Sequence, residues 1–276
     1  MDAALLRARA RIIHGARAFL HEQGFVEVEP PVLVSGPALE ETLEAVPAAD
    51  GWLHTSPEFA LKRVLAAGLP RIYALTPAFR GEEWGPHHGR EFTMLELYLA
   101  NAGYLDLPPL VAALIAAAAS AIGQPAPTFA QVTVAALFQS ETGAPPPEDD
   151  DLYFRAWVDR IEPRLTAPTF VLDYPARHAA LAEVRGDIAE RVEVYLGGLE
   201  LGNGYSELRD PAELRRRFED SAAARRRAAK APHPIDAGVI AASARMPRCA
   251  GIAIGIDRLV MALTGAADIA AVRVPR

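Results

Sequence analysis

Four groups of residues carry side chains whose types and spacing could do chemistry. The first is the stretch Phe79-Arg80-Gly81-Glu82-Glu83-Trp84-Gly85-Pro86-His87-His88-Gly89-Arg90-Glu91-Phe92-Thr93-Met94-Leu95-Glu96-Leu97-Tyr98. With the period of two of a strand, Phe92, Met94, Glu96 and Tyr98 share one face. A carboxylate and a phenol beside Phe and Met describe a pocket wall better than a solvated surface. Arg80 and Glu82 share a face of the preceding strand, and an arginine there suits bidentate phosphate contact. His88 adds a donor for a polyphosphate. An ordinary charged hairpin would use the same residue types.

The second group is Glu193, Glu200, Asn203 and Glu207. The turn Gly197-Gly198 places Glu193 and Glu200 on neighbouring strands. Two carboxylates facing each other there are unfavourable unless a cation lies between them, and oxygen ligands suit Mg2+ shared with substrate phosphates. Two solvent-facing glutamates are the alternative. The third is Gly251-Ile252-Ala253-Ile254-Gly255-Ile256-Asp257-Arg258. Small residues at 251, 253 and 255 let a ligand lie on the backbone, or let a core strand pack tightly. Arg258 opens the next helix, where it can meet phosphate or stack on a base, and Asp257 is the expected N-cap. The fourth is Ser56-Pro57-Glu58, in which Ser56 and Pro57 cap a helix and Glu58 enters its first turn.

The elements that must position these groups read as follows. Residues 3–23 form an amphipathic helix closed by Gly24, and 25–29 alternate as a strand up to Pro30-Pro31. Residues 35–51 are a turn-rich connection, and a helix runs from Ser56 to Gly68. Strands at 72–75 and 92–98 form an antiparallel hairpin with a long loop, and 105–122 form an apolar helix. Residues 124–168 are Pro-rich and weakly periodic, with 145–151 a solvated loop. Strands follow at 170–172, 192–195, 199–201 and 251–255, with helices at 211–230 and 257–263. Irregular alternation of helices and strands indicates α+β with a mainly antiparallel sheet of six to seven strands. Neither a G-x-x-x-x-G-K-[ST] loop nor a G-x-G-x-x-G turn is present.

In their order, these segments resemble the three motifs and the amino-acid pocket of a class II aminoacyl-tRNA synthetase of the lysine-specific subgroup. Motif 1 spans about 15–31, motif 2 about 79–98 and motif 3 about 251–263, with Gly24, Phe79 and Gly251 about 55 and then about 170 residues apart. The resemblance implies one α+β catalytic domain over 1–276, an antiparallel sheet flanked by helices, and a homodimer. It implies that Arg80 contacts the α-phosphate of ATP, Glu82 holds the adenine amino group, Phe92 stacks on adenine, and Arg258 covers its other face and reaches the γ-phosphate, with His88 also near the phosphates. Glu193 and Glu200 would hold Mg2+. Glu58, Tyr98 and Glu207 would bind a lysine-type ammonium, Glu96 the other amine and Asn203 the carboxylate, with Ser56 and Ala253 in the same substrate set. Independently of any family, a buried dicationic amino acid needs buried carboxylates.

Three features point to a subgroup. Motif 1 begins within the first 30 residues, so no N-terminal anticodon-binding domain is expected before it. Ala253 stands where lysyl-tRNA synthetases have glycine, and His87 where they have arginine. All three resemble the elongation factor P–(R)-β-lysine ligase family, which implies transfer of (R)-β-lysine or lysine to a lysine ε-amine of that factor. Gly89 and Arg90 depart from the Asn-Pro usual in both families.

Composition narrows the alternatives. Hydrophobic residues make up 51%, which excludes a disordered chain, and a net charge of −7 disfavours a large tRNA or DNA surface. The arginines at 215–217 and 225–227 would serve a tRNA-charging or small-molecule-acylating relative, but a solvated helix face is the expectation. A catalytically dead paralogue would have lost residues of the ATP set, and all are present. The single cysteine, Cys249, excludes a disulfide framework and a cysteine zinc site, and the histidines at 14, 21, 54, 178 and 233 show no metal spacing. With no signal peptide and no apolar run long enough for a bilayer, a cytoplasmic location is expected.

Overall fold

A computed structural model describes residues 2–38 and 41–274. Helix α1 (Ala3–Glu22) starts where Asp2 accepts a hydrogen bond from Ala4 N at 2.7 Å. It buries Ile12, Ala16 and Leu20, and ends as Gly24 takes φ +77°. Its crossing with α3 (Leu107–Ser120) is close: a Cβ on Gly15 would meet Ala117 O and Ala121 Cβ, both at 2.9 Å. Strand β1 (Val26–Glu27) is shorter than the alternation suggests, because Pro30 and Pro31 supply no donors.

The 35–51 stretch, expected to be a connection, contains part of a small sheet of order β2-β4-β3. Its strands are β2 (Leu33–Val34), β3 (Val46–Ala48) and β4 (Gly51–Leu53). Pro47 is tolerated because β3 is an edge. Helix α2 (Glu58–Ala66) begins as Ser56 Oγ accepts from Glu58 N at 3.0 Å. Strands β5 (Arg71–Phe79) and β6 (Glu91–Ala100) form the long-looped hairpin, with Phe79 opposite Glu91.

Residues 124–168 hold more structure than their composition suggests: β7 (Ala130–Thr133), α4 (Val134–Thr142), α5 (Asp150–Ala156) and a wide helical turn over Trp157–Ile161. Thr133 caps α4, Gly143 closes it in the left-handed region, and Asp149 caps α5. Thus only part of the acidic run is loop, since Asp150 and Asp151 form the first turn of α5. Phe138, Tyr153 and Trp157 pack together against the next strand, β8 (Thr169–Pro175).

The remaining elements are β9 (Val184–Arg185), β10 (Ile188–Leu196), β11 (Leu199–Ser206), α6 (Pro211–Arg227), α7 (Ala237–Ser243), β12 (Cys249–Gly255) and α8 (Ile256–Thr264). Among the described residues the main sheet has nine strands rather than six or seven, in the order β1-β5-β6-β12-β11-β10-β8-β7, with β9 beside β10. From β5 to β8 every pairing is antiparallel, while β1 and β7 join the ends in parallel. Helices α1, α3 and α8 bury one sheet face through Leu97, Val111, Ile252 and Leu259. Asp257 is not the cap of α8, which Gly255 fills. It accepts instead from Thr93 N (2.7 Å) and Arg9 (2.6 Å), tying α8 and β6 to α1. No helix among the described residues is long and apolar enough to cross a membrane.

Helix α6 is not simply a solvated arginine face. Arg217 donates to Ala180 O and Ala182 O, at 2.7 and 2.9 Å. Arg225 has a fully buried side chain and donates to Leu43 O (2.6 Å), Glu44 (3.0 Å) and Ala231 O. Glu44 O in turn accepts from Gly81 N at 2.7 Å, so this arginine supports the β5–β6 loop. Arg225→Ala is expected to leave these acceptors unpaired and destabilise the fold by about 3 kcal/mol. Equilibrium urea unfolding checks this value.

Candidate active site

The open face of the main sheet carries one elongated cavity, and strand register explains its floor. Opposite residues in an antiparallel pair share a face. Glu96 lies opposite Ala253, Ala253 opposite Asn203, and Asn203 opposite Glu193, a single row across four strands. The adjacent row runs Tyr98, Gly251, Tyr205 and Arg191. Large functional side chains on β6 and β11 thus flank small residues on β12. A Cβ on Gly251 would stand 2.3 Å from the Tyr98 ring and 2.7 Å from Glu207 Oε1, so only glycine lets these two groups converge.

The deep end of the cavity is anionic. Glu58, Glu96 and Glu207 all line it and all are at least 95% buried. Glu96 accepts from Ser56 Oγ and from Tyr98 OH, each at 2.6 Å. Burial, then the charge of Glu58, pushes the Glu96 carboxyl up to about 7. Burial pushes Glu207 up to about 8, against the pull of Lys62. Glu207 Oε1 is buried with no hydrogen-bond partner among the described residues. Carboxyl groups held this way are receptors for a cation.

The other end is cationic and aromatic. The Arg80 guanidinium carbon lies 5.1 Å from the centre of the Phe92 ring, and Arg80 pairs with Glu83 at 3.0 Å. Arg258 donates to Glu200 O (2.8 Å), His87 O (3.1 Å) and His88 Nε2 (2.5 Å). Burial and then Arg258 lower the His88 pKa, which favours the neutral ring, and Nε2 accepts this bond because the guanidinium can only donate. Asn203 takes Arg191 Nε on its Oδ1 at 2.9 Å, which leaves its amide to donate.

Two expected pairs sit differently. Strand β5 ends at Phe79, so Arg80 and Glu82 do not continue its alternation. Glu82 is outside the cavity lining, with a side chain 70% exposed and Lys230 at 3.7 Å. Glu193 and Glu200 are not direct partners: Glu193 faces Asn203, and Glu200 faces Tyr195. A register shift next to Val194 and Tyr195 makes Leu201 the extra residue. It turns Glu200 onto the face of Glu193 and Asn203.

Glu200 lines the cavity, whereas Glu193 lies behind it, held by Arg191 (2.6 Å) and Tyr195 OH (2.7 Å). Burial and the charge of Glu193 push the Glu200 carboxyl up to about 7. That proximity suits a divalent cation shared with a ligand's oxygens, since each Glu193 oxygen keeps a second lone pair. Among the described residues no set of three or more acidic, His or Cys side chains is gathered for a metal.

Residues not singled out in the sequence also shape the site. Lys62 lies four residues beyond Glu58, the helical spacing that pairs charges, and Arg191 lies two before Glu193, on the same strand face. Both signals are local. Ala180 and Leu181 arrive from a loop held by Arg217, which no local pattern reveals.

A family model described as tRNA synthetases class II (D, K and N) matches residues 2–274. The chain is 34% identical to a protein of Aquifex aeolicus described as an elongation factor P–(R)-β-lysine ligase homolog, over 95% of this chain and 96% of that one. It is 37% identical to the elongation factor P–(R)-β-lysine ligase of Vibrio parahaemolyticus, over 94% and 91%. With the Vibrio cholerae ligase the identity is 35%, over the same shares.

Gly251→Ala is expected to force Tyr98 and Glu207 apart and to destabilise the fold by about 2 kcal/mol through overpacking. Thermal and urea unfolding measure the loss, and an unchanged stability would mean that the floor yields freely.

Proposed function

The chain belongs to the class II tRNA synthetases of the D, K and N type, and from that membership we propose a ligase that activates a lysine-type amino acid with ATP. It passes the acyl group to a lysine ε-amine of translation elongation factor P. The observation that carries this reading is the pairing of a triple-carboxylate pocket with an arginine-rich end across the glycine-bearing strand β12. The acceptor is taken from the ligase relatives. (R)-β-lysine is the preferred isomer, and the Ala253 methyl beside Glu96 shapes the site of its displaced amine.

The substrate's two ammonium groups settle among Glu58, Glu207 and Tyr98 at one site and Glu96 with Ser56 at the other. Asn203 donates to its carboxylate. Phe92 and Arg258 enclose the adenine, with Glu82 reaching the amino group after a movement of the β5–β6 loop. Arg80 stabilises charge that develops on the α-phosphate, and His88 and Arg258 contact the outer phosphates. Glu200, with Glu193 behind it, would hold Mg2+, which supplies neutralisation of phosphate charge when bound. A substrate carboxylate oxygen attacks the α-phosphorus, the bond to the β-phosphate bridging oxygen breaks, and diphosphate leaves. The acceptor's neutral ε-amine then attacks the acyl carbon, AMP leaves with the bonding electron pair, and the amine proton goes to solvent. Two copies would pair along α1, β1 and β2, where Val26 on β1 and Leu33 on β2 are 46% and 47% exposed.

Amino-acid-dependent ATP–diphosphate exchange tests activation. We expect exchange with (R)-β-lysine above that with L-lysine and none with norleucine, which lacks the terminal ammonium. Exchange supported by norleucine or by an acidic amino acid would overturn the reading. Glu207→Gln should raise the KM for the amino acid roughly 100-fold, the loss of a buried charged contact of about 2–3 kcal/mol.

The pH dependence follows from the raised carboxyls. Only their ionised forms bind an ammonium, so the KM should fall as pH rises through about 7 to about 8, then level off. A KM that rises over that interval would contradict the assignment.

A further inference from the structure

Lys62 lines no part of the cavity, yet its Nζ lies 2.5 Å from Glu58 Oε1 and 2.6 Å from Glu207 Oε2. Its side chain is 2% exposed. It reaches these carboxylates from behind the cavity wall, one helical turn past Glu58 on α2. The groups around this ammonium come from several elements: Glu58 on α2, Glu96 and Tyr98 on β6, Glu207 just past β11, and Cys249 at the start of β12. Helix α7, packed on α2, contributes no titratable side chain within its span.

Three buried carboxylates without a cation would repel one another and take up protons, and a protonated carboxyl holds an ammonium poorly. One fixed ammonium changes that balance. With the three carboxyls ionised, it leaves the deep end with a net charge of −2, the complement of a diamino acid carrying two ammonium groups.

We infer that Lys62 is a positioning residue, a built-in counter-ion that offsets the charge of Glu58 and Glu207 and aligns them so that the pocket matches a doubly cationic substrate. The inference rests on the lysine-type substrate proposed above. Lys62 itself stays protonated, because the two carboxylates outweigh the cost of its burial and raise its pKa. It touches no reacting atom and acts through the glutamates. The ion pair also discriminates. A substrate with one ammonium leaves one buried negative charge uncompensated, which disfavours monoamino acids of the same shape.

The test uses the full chain and two variants, Lys62→Met, which keeps the unbranched shape without charge, and Lys62→Arg, which keeps the charge. Carbon-13 NMR of glutamate carboxyls is followed against pH without ligand. In Lys62→Met a buried glutamate is expected to titrate at a pH at least about 1 higher than in the wild type, and in Lys62→Arg near the wild-type value. Superimposable titrations of the wild type and Lys62→Met would overturn the inference.

Kinetics give the second arm. Lys62→Met should raise the KM for the amino acid at least about tenfold at neutral pH and recover as pH rises past about 9, with kcat and the KM for ATP near wild type. A loss of kcat and KM alike at every pH would make Lys62 a packing residue and overturn the inference. Should Lys62→Met not fold, the charge-balanced Lys62→Met/Glu58→Gln variant replaces it. Its remaining glutamates should titrate as in the wild type, and a raised titration would overturn the inference. Absence of wild-type exchange would refute the proposed substrate, while the ligand-free titration would still decide the role of Lys62.

Discussion

Three carboxyl groups, Glu58, Glu96 and Glu207, are buried within one cavity, and most of the surrounding structure is organised around the cost of keeping them there. A buried charge without a partner is strongly unfavourable. Each carboxyl therefore has a partner: Ser56 and Tyr98 on Glu96, and Lys62 shared by Glu58 and Glu207. What remains unmet, Glu207 Oε1 above all, faces the cavity. A binding site for cations is the natural result of such incomplete neutralisation.

The sheet makes this convergence possible. Glu96, Ala253, Asn203 and Glu193 fall in one row only because β6, β12, β11 and β10 keep a fixed antiparallel register. A slip of one residue in any of these strands would send its member of the row to the opposite face, into the layer of α1, α3 and α8. Gly251 then sets how closely Tyr98 and Glu207 approach, and the extra residue Leu201 sets the direction of Glu200. The far end is held from outside the sheet. Arg225 on α6 fixes Glu44, and the Glu44 carbonyl fixes Gly81 in the loop that carries Arg80.

Much of this was legible in the sequence because it is local. The period of two put Phe92, Met94, Glu96 and Tyr98 on one wall, and Ser56-Pro57 marked the start of the helix that carries Glu58. Small residues at 251, 253 and 255 marked the floor. What escaped depends on long-range contact. The caps of α4 and α5 were present in residues 124–168, but Phe138, Tyr153 and Trp157 gain meaning only when packed on β8. Asp257 looks like a cap until Arg9 and Thr93 claim its carboxylate from distant elements. Arg225 looks like part of an exposed basic cluster until its carbonyl partners surround it. The Glu193–Glu200 pair was misaligned because a bulge leaves no reliable mark in a glycine-containing strand.

A pocket of this charge, in a chain of the class II synthetase family, suits the diamino acid of the proposed ligase reaction. The most direct measurement is the intact mass of unmodified elongation factor P after incubation with this protein, ATP and (R)-β-lysine, alongside a parallel reaction with tRNA. The expected result is a mass increase of one β-lysyl group on the factor, dependent on ATP and on Arg80, with tRNA left uncharged. An unmodified factor together with aminoacylated tRNA would contradict it.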